Sequence, residues 1–436
     1  MYLARTRAGA PAAGAPAPAT GTPVPRVPAT GAAVAGSAHR SRRILAGNVL
    51  ALGLVSLVTD VSAEMVGSVL PAYLVLGLHL SASQYGLVDG LFAGSTALTR
   101  LLGGYAADRY RRRKLVAGIG YGLSALARAG LLAAAATPAA ISAVLAVDRT
   151  GKGLRTAPRD ALITLSVPAD RLGRAFGVHR ALDSLGAFAG PLVAVGVLAL
   201  AGSGRAYDAV FLVSLCFAVL GVLLLALFVR DHREPLPADR VRPGAALALL
   251  RHRPFRGLCA AAVLLALTTV GDGFVYLLIQ RRDDLPLTAF PLLAVGSALA
   301  YLVLAAPLGR LADRTGRRPV ILAGYGATIA IQSLLALGPG SPALLVPLIL
   351  LLHGASYAAT DGVLMALAGP LLPPALRTSG LALLQTGQAL AGLGSSVLFG
   401  LAWQTWGTAP ACLGAAVAVA TALALSVPLL EGHPTP

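Results

Sequence analysis

From Ile44 to Leu430 the chain is a succession of long apolar runs broken by short polar or charged punctuation. A bilayer core of about 30 Å needs about 20 apolar residues per helix. Backbone polar groups in lipid must be satisfied inside a helix or a closed barrel. The runs fall at 44–76, 84–106, 115–136, 139–165, 174–199, 209–229, 256–280, 290–309, 319–337, 342–369, 379–402 and 409–430. None alternates apolar and polar residues as barrel strands do. The pattern therefore predicts an all-α polytopic membrane protein of twelve transmembrane helices. Composition argues against a soluble fold: 12% of the residues are charged, about half the ~25% typical of a soluble domain.

Before the first run, residues 1–43 are Ala, Pro, Gly and Thr with scattered Arg. Such a mixture cannot bury a core and reads as a disordered tail, without the apolar stretch of a signal peptide. The three cysteines, Cys216, Cys259 and Cys412, have no ligand spacing, so neither a disulfide framework nor a cysteine metal site is expected. No metal and no cofactor are expected at all.

The net charge is +17. In a soluble chain this would suggest nucleic acid, but here it is a matter of topology. Of the 35 Lys and Arg, 25 lie in the tail and in every second connection, and only Arg205, Arg281 and Arg282 lie in the opposite set. The basic side is cytoplasmic, so both termini are expected there, in a multi-pass protein of the bacterial inner membrane. The linker 230–255 separates six runs (44–229) from six (256–430), with a short tail at 431–436.

The halves repeat. Gly104, Asp108 and Arg109 follow the second run, and Gly309, Asp313 and Arg314 follow the eighth, each offset by 205 residues. A six-plus-six parallel repeat is a transporter architecture. The first copy continues with Arg111, Arg112, Arg113 and Lys114, the second with Gly316, Arg317 and Arg318. These strings resemble the Gly-x-x-x-Asp-Arg-x-Gly-Arg-Arg motif of the major facilitator superfamily, and the resemblance covers residues 44–430. Arg149-x-x-x-Gly153 is similar to that family's proton-coupling arginine motif. Gly177, Gly186, Gly190 and Pro191 are spaced like its antiporter motif, with Ala194 and Val195 where the family has two glycines. Thr59-Asp-Val-Ser-Ala-Glu-Met and Gly151-Lys-Gly-Leu-Arg-Thr-Ala-Pro-Arg-Asp look like a bacterial subgroup.

The resemblance implies two pseudo-symmetric six-helix bundles and a conformational gate. The gate comprises Gly104, Asp108, Arg109, Arg112, Arg113, Asp160, Gly309, Asp313 and Arg314. In it, Asp108 would meet the N-terminus of the eleventh helix, where a carboxylate gains about 0.3–2 kcal/mol. Asp160 would pair with Arg112 or Arg113.

A charge at the bilayer centre costs about 2.5–3.5 kcal/mol on insertion scales, so intramembrane charges are functional candidates. They concentrate on four runs. The first has Asp60 and Glu64; the fourth has Asp148, Arg149, Lys152, Arg155, Arg159 and Asp160; the seventh has Asp272; the tenth has His353 and Asp361. Spacing by four residues sets them on stripes: Ser56, Asp60, Glu64 and Ser68; Thr268, Asp272, Tyr276 and Gln280; His353, Tyr357 and Asp361. Asp60 lies about 24 Å along the helix from Ile44 at 1.5 Å per residue, near mid-membrane. Two neighbouring carboxylates in low dielectric cannot both ionise cheaply, which suits Asp60 and Glu64, with Arg149, to proton coupling. A fixed ion pair with Arg149 is the plainer alternative. Lys152, Arg155, Asp272, Tyr276, His353, Tyr357 and Asp361 are the expected substrate cavity, while Arg155 and Arg159 could instead snorkel to the interface.

The sequence thus reads as a secondary active transporter of a small solute. It would work by alternating access, proton-coupled and in the export or antiport direction, as a monomer in lipid that binds no nucleic acid. A transporter-like sensor and a polytopic membrane enzyme stay open as alternatives. The enzyme is disfavoured because no His-x-x-x-His pair falls within a run and no Gly-x-x-x-x-Gly-Lys-Ser/Thr loop is present.

Overall fold

The computed structural model describes residues 31–92, 94–95, 99, 112–134, 137–168, 172–202, 206–231, 247–338, 341–373 and 376–431. Among them there is no β-strand. The chain divides at Arg43/Ile44 into two units. Ten stretches among the described residues are long and apolar enough to cross a membrane, and all lie in the second unit.

The helices are α1 (Gly31–Ala72), extended by a π-turn at Tyr73–Gly77, α2 (82–92), α3 (Arg113–Ala133), α4 (Pro138–Leu165), α5 (Leu172–Ala201) and α6 (Ala206–Phe228). The second half has α7 (Arg253–Thr268), α8 (Asp272–Asp283), α9 (Phe290–Thr315), α10 (Arg317–Leu337), α11 (Pro342–Ala368), α12 (Arg377–Trp406) and α13 (Thr408–Glu431). Two expected spans are not among the ten apolar ones. The second lies partly outside the described residues, and α4 carries six ionisable side chains.

Two features depart from the expected pattern. The helical backbone of α1 begins at Gly31, inside the stretch read as a disordered tail. After Pro28 the composition is Ala-rich and proline-free, and alanine has the highest helix propensity. The seventh run is two helices. Thr269 and Gly271 adopt extended ψ values of 122° and 153°, where a β-branched Thr-Thr-Val string has little helical preference. The freed Thr269 carbonyl accepts a hydrogen bond from Ser395 Oγ of α12 at 2.6 Å, so the break is not left unsatisfied in lipid.

Small residues bring the helices close, as is usual where no hydrophobic force separates helix from lipid. Gly120 of α3 and Gly151 of α4 face each other's carbonyl groups, and a Cβ on Gly120 would stand 2.7 Å from the Gly151 oxygen. Gly190 lays α5 on α1, where a Cβ would stand 2.8 Å from the Val61 carbonyl and 2.9 Å from Glu64 Cβ. Leucines such as Leu200, Leu227 and Leu344 face outward, 74–89% exposed, as lipid-facing residues do.

The buried core is asymmetric along the membrane normal. At the end bearing the basic loops, each half has its own cluster. Val49, Leu52, Tyr121, Leu162 and Leu225 serve the first half; Leu258, Ile321, Val363, Leu384 and Val419 serve the second. At the opposite end one cluster joins Met65, Leu74, Tyr85, Leu198 and Phe211 to Phe274, Phe290, Leu335, Phe399 and Trp403. The halves also touch through α5 and α9. Among the described residues they are therefore sealed together at the sparsely charged end and have separate cores at the basic end.

Candidate functional site

The close α3–α4 packing governs the charges of α4. With Gly120 and Gly151 in contact, Arg128 of α3 reaches Asp148 at 3.2 Å. Arg149 approaches the other carboxylate oxygen of Asp148 at 3.1 Å. The Asp148 and Arg128 side chains are each 3% exposed, which makes a buried ion triad. The Arg149 guanidinium also lies over the Phe92 ring of α2, 3.4 Å from its centre. Arg149 thus pairs with its neighbour Asp148, not with Asp60 or Glu64 as the fixed-pair alternative had it.

Nearly two turns along, Arg155 stacks on Tyr121 at 4.7 Å and reaches Asp60 of α1 at 3.7 Å. Arg155 is buried. Arg159 hydrogen-bonds Ser56 at 3.2 Å and approaches Asp160 at 3.1 Å and Asp183 at 3.6 Å. Both arginines thus turn inward to partners rather than snorkelling. Asp160 has Arg159 as its ion partner among the described residues, while Arg112 is exposed and Arg113 buried. Glu64 and Lys152 have no hydrogen bond or close ion pair among the described residues, and they lie within electrostatic reach of each other.

Helix α5 adds Asp183 to this group. Its Gly186 and Gly190 sit against the Leu57 and Val61 carbonyl groups of α1. That register places Asp183, one turn before Gly186, beside Asp60. Of the antiporter-like motif, Gly186 and Gly190 make this contact. Gly177 has open space around it, and Pro191 continues α5.

In the second half, the stripes on the seventh and tenth runs converge. Asp272, at the first position of α8, accepts a hydrogen bond from Tyr357 Oη at 2.6 Å and lies 3.4 Å from His353 Nε2. A carboxylate in the first turn of a helix suits the helix dipole, and the break at 269–271 creates that N-terminus within the span. His353 Nδ1 meets Ser297 Oγ of α9 at 3.1 Å, and its ring stands edge-on to Tyr276 and Tyr357 at 5.7 and 5.3 Å. The Asp272 side chain is half exposed, so it can meet a ligand. Asp361 is not part of this cluster; it is exposed and lies within reach of Arg180 on α5.

The sealed end has its own polar contact. Asp89 of α2 accepts from Ser396 Oγ of α12 at 2.7 Å and from Tyr85 Oη at 3.5 Å. A Cβ on Gly90 would come within 2.9 Å of the Leu393 carbonyl. Spacing along the chain does not single out Asp89, whose Ser396 partner is 307 residues away.

Of the gate residues, Gly104, Asp108 and Arg109 lie outside the described residues. In the second copy, Gly309 has open space around it, Asp313 and Arg314 are exposed, and Gly316 turns the chain at φ +95°. Arg317 donates to the Ala366 carbonyl at 3.0 Å, and Arg318 to that of Leu430. In the first half Lys114 donates to the Ala226 carbonyl at 2.8 Å. These bases satisfy last-turn carbonyls that helix ends leave without partners. Among the described residues no three His, Cys, Asp or Glu side chains are placed to hold a metal ion together.

The family model for the Major Facilitator Superfamily matches residues 52–290 and 282–436. An uncharacterised MFS-type transporter of Methanocaldococcus jannaschii is 28% identical over 381 residues, 84% of this chain and 91% of that protein. An uncharacterised protein of Mycobacterium tuberculosis is 34% identical over 158 residues, 36% of this chain and 38% of its own length. Among solved structures, the nucleoside transporter NupG superposes with a TM-score of 0.75 at 15% identity, covering 88% of this chain and 99% of that one. A D-xylose–proton symporter superposes with 0.71 at 16% identity, covering 89% and 98%. At such identities these structures share the fold.

Proposed function

This chain belongs to the Major Facilitator Superfamily, and we propose that it is a proton-coupled secondary transporter of the bacterial cytoplasmic membrane that exports a small solute in exchange for protons. Residues 44–229 and 256–430 would be the two moving bundles, 230–255 their cytoplasmic linker, and both termini cytoplasmic. With that orientation the sealed end faces out and the separate cores face the cytoplasm. One half rocking against the other about the midplane would alternate access.

The observation that carries the coupling is the Arg155–Asp60 ion pair across α4 and α1, with Glu64 one turn beyond it. A carboxylate in this setting exchanges an arginine for a proton as the bundles move, so protonation and access become linked. The export direction rests on Gly186 and Gly190, which hold α5 against the same part of α1.

Lys152, a cation without a close ion pair among the described residues, supports a substrate with an anionic group. Asp272 and Tyr357 would hold a donor at its other end. The test begins with a ligand-stabilisation screen of the purified protein across organic anions, drugs and metal ions. The ligand found is then assayed in proteoliposomes. Asp60→Asn/Glu64→Gln should lose accumulation driven by a pH gradient and keep counterflow. Wild-type accumulation in that variant would overturn the coupling, and a solely cationic ligand would overturn the anionic substrate.

A further inference from the structure

We propose that Asp60 and Asp183 form one proton-binding site, shared between α1 and α5, with His179 as its neighbour toward the basic end. This rests on the coupling role given to Asp60 and adds a second helix to it. The two carboxyl groups are neighbours, close enough to act directly on one another. Two carboxylates offer only acceptors, so at close approach they repel unless one proton is shared between them.

The backbone enforces the meeting. Gly186 and Gly190 bring α5 onto the Leu57–Val61 carbonyl groups of α1, on either side of Asp60. Each acid has its own arginine on α4: Arg155 is 3.7 Å from Asp60, and Arg159 is 3.6 Å from Asp183.

A third group points at the same place independently. His179 is 2% exposed, and neither ring nitrogen has a hydrogen-bond partner among the described residues. Its Nε2 lies 4.0 Å from the Asp183 oxygen that faces Arg159. A buried imidazole without a partner is costly to keep, unless it accepts and passes on a proton. The other charged or titratable groups around the site are Lys152, Asp160 and Tyr121 from α4 and α3, and Arg180 from α5.

One proton bound takes the pair from two negative charges to one and makes an O–H···O bond between the helices. When the proton leaves, by way of His179 to the cytoplasmic side, two carboxylates face each other and separate toward their arginines. Helix α5 also packs on α9 of the second half. Proton release at this pair therefore pushes on a contact between the bundles.

The first measurement needs no substrate. Infrared difference spectra of the protein in lipid nanodiscs, recorded between acid and neutral pH, detect the C=O stretch of a protonated carboxyl. A shared proton gives one band that disappears in Asp60→Asn and equally in Asp183→Asn, and that shifts in frequency in Asp183→Glu, a variant that keeps a carboxyl on the same face. A band removed by Asp60→Asn but unaltered in both Asp183 variants would overturn the inference, as would spectra in which Asp60→Asn removes nothing. If accumulation fails in Asp60→Asn while the Asp183 variants leave both transport and the band untouched, the coupling role of Asp60 survives and the shared site falls. If Asp60→Asn transports normally, the coupling role itself falls.

Discussion

Replacing Asp148 by asparagine removes the one negative charge that Arg128 and Arg149 share. Both contacts are short, 3.2 and 3.1 Å, and the Asp148 and Arg128 side chains are 3% exposed. Water cannot take the place of the lost carboxylate. Breaking a buried pair by removing one partner costs about 3–5 kcal/mol, because the other charge is left uncompensated. Here two guanidinium groups are left, so the upper part of that range is expected. The assay is unfolding by increasing SDS in mixed micelles, read by helix content, with the folded fraction checked by size exclusion. Asp148→Asn should unfold at a clearly lower SDS fraction than wild type. Asp148→Asn/Arg128→Gln removes one charge of each sign and should recover part of the loss, with a coupling of about 0.5–3 kcal/mol, as for residues in one network. A wild-type midpoint in Asp148→Asn, or strict additivity in the double variant, would refute the reasoning that this triad is held together by charge.

At the sealed end, Ser396→Ala removes the Asp89 hydrogen bond between the bundles. At about 0.6–1.7 kcal/mol for such a bond in a membrane, the equilibrium should shift about 3- to 20-fold toward the state open at that end, seen as longer spin-label distances between residues near 83 and 404. An unchanged distribution would show that the apolar core alone seals this end. Asp108→Asn should act oppositely, favouring the state open at the basic end by loss of about 0.3–2 kcal/mol of helix-terminus attraction; labels at the basic ends of the second and eleventh spans report it, and intact transport with unchanged distances counts against the latch. The charge asymmetry of the loops predicts that a cysteine in the 338–341 loop is labelled by an impermeant reagent in intact cells and that Arg240→Cys is not, and labelling of the latter would invert the topology.

The spans were legible in the sequence because lipid imposes one rule on every helix: about 20 apolar residues with all backbone bonds internal. Hence α3, α6, α10 and α13 begin and end within a few residues of the apolar runs that predict them. The stripes were legible too, since four-residue spacing alone sets Asp272 and Tyr276 on one face and His353 and Tyr357 on another. That these two faces meet was a matter of tertiary structure: the break at 269–271 and the packing of α11 on α9 decide it, and neither is a local property.

The same limit explains the partners that were misjudged. By sequence alone Arg149 could pair with Asp60 or Glu64 of the first run, yet it pairs with the adjacent Asp148, which Arg128 of another helix also holds. By spacing alone Asp183 faces His179, four residues away on the same helix. It became a partner of Asp60 through the register that Gly186 and Gly190 impose on α5. Asp89 has Tyr85 as its partner along the helix, but its shorter hydrogen bond, from Ser396, crosses from one half of the repeat to the other. A sequence records which faces are polar through the helical period. Which polar faces touch is set by where small residues allow two backbones to approach, and that depends on helices distant in the chain.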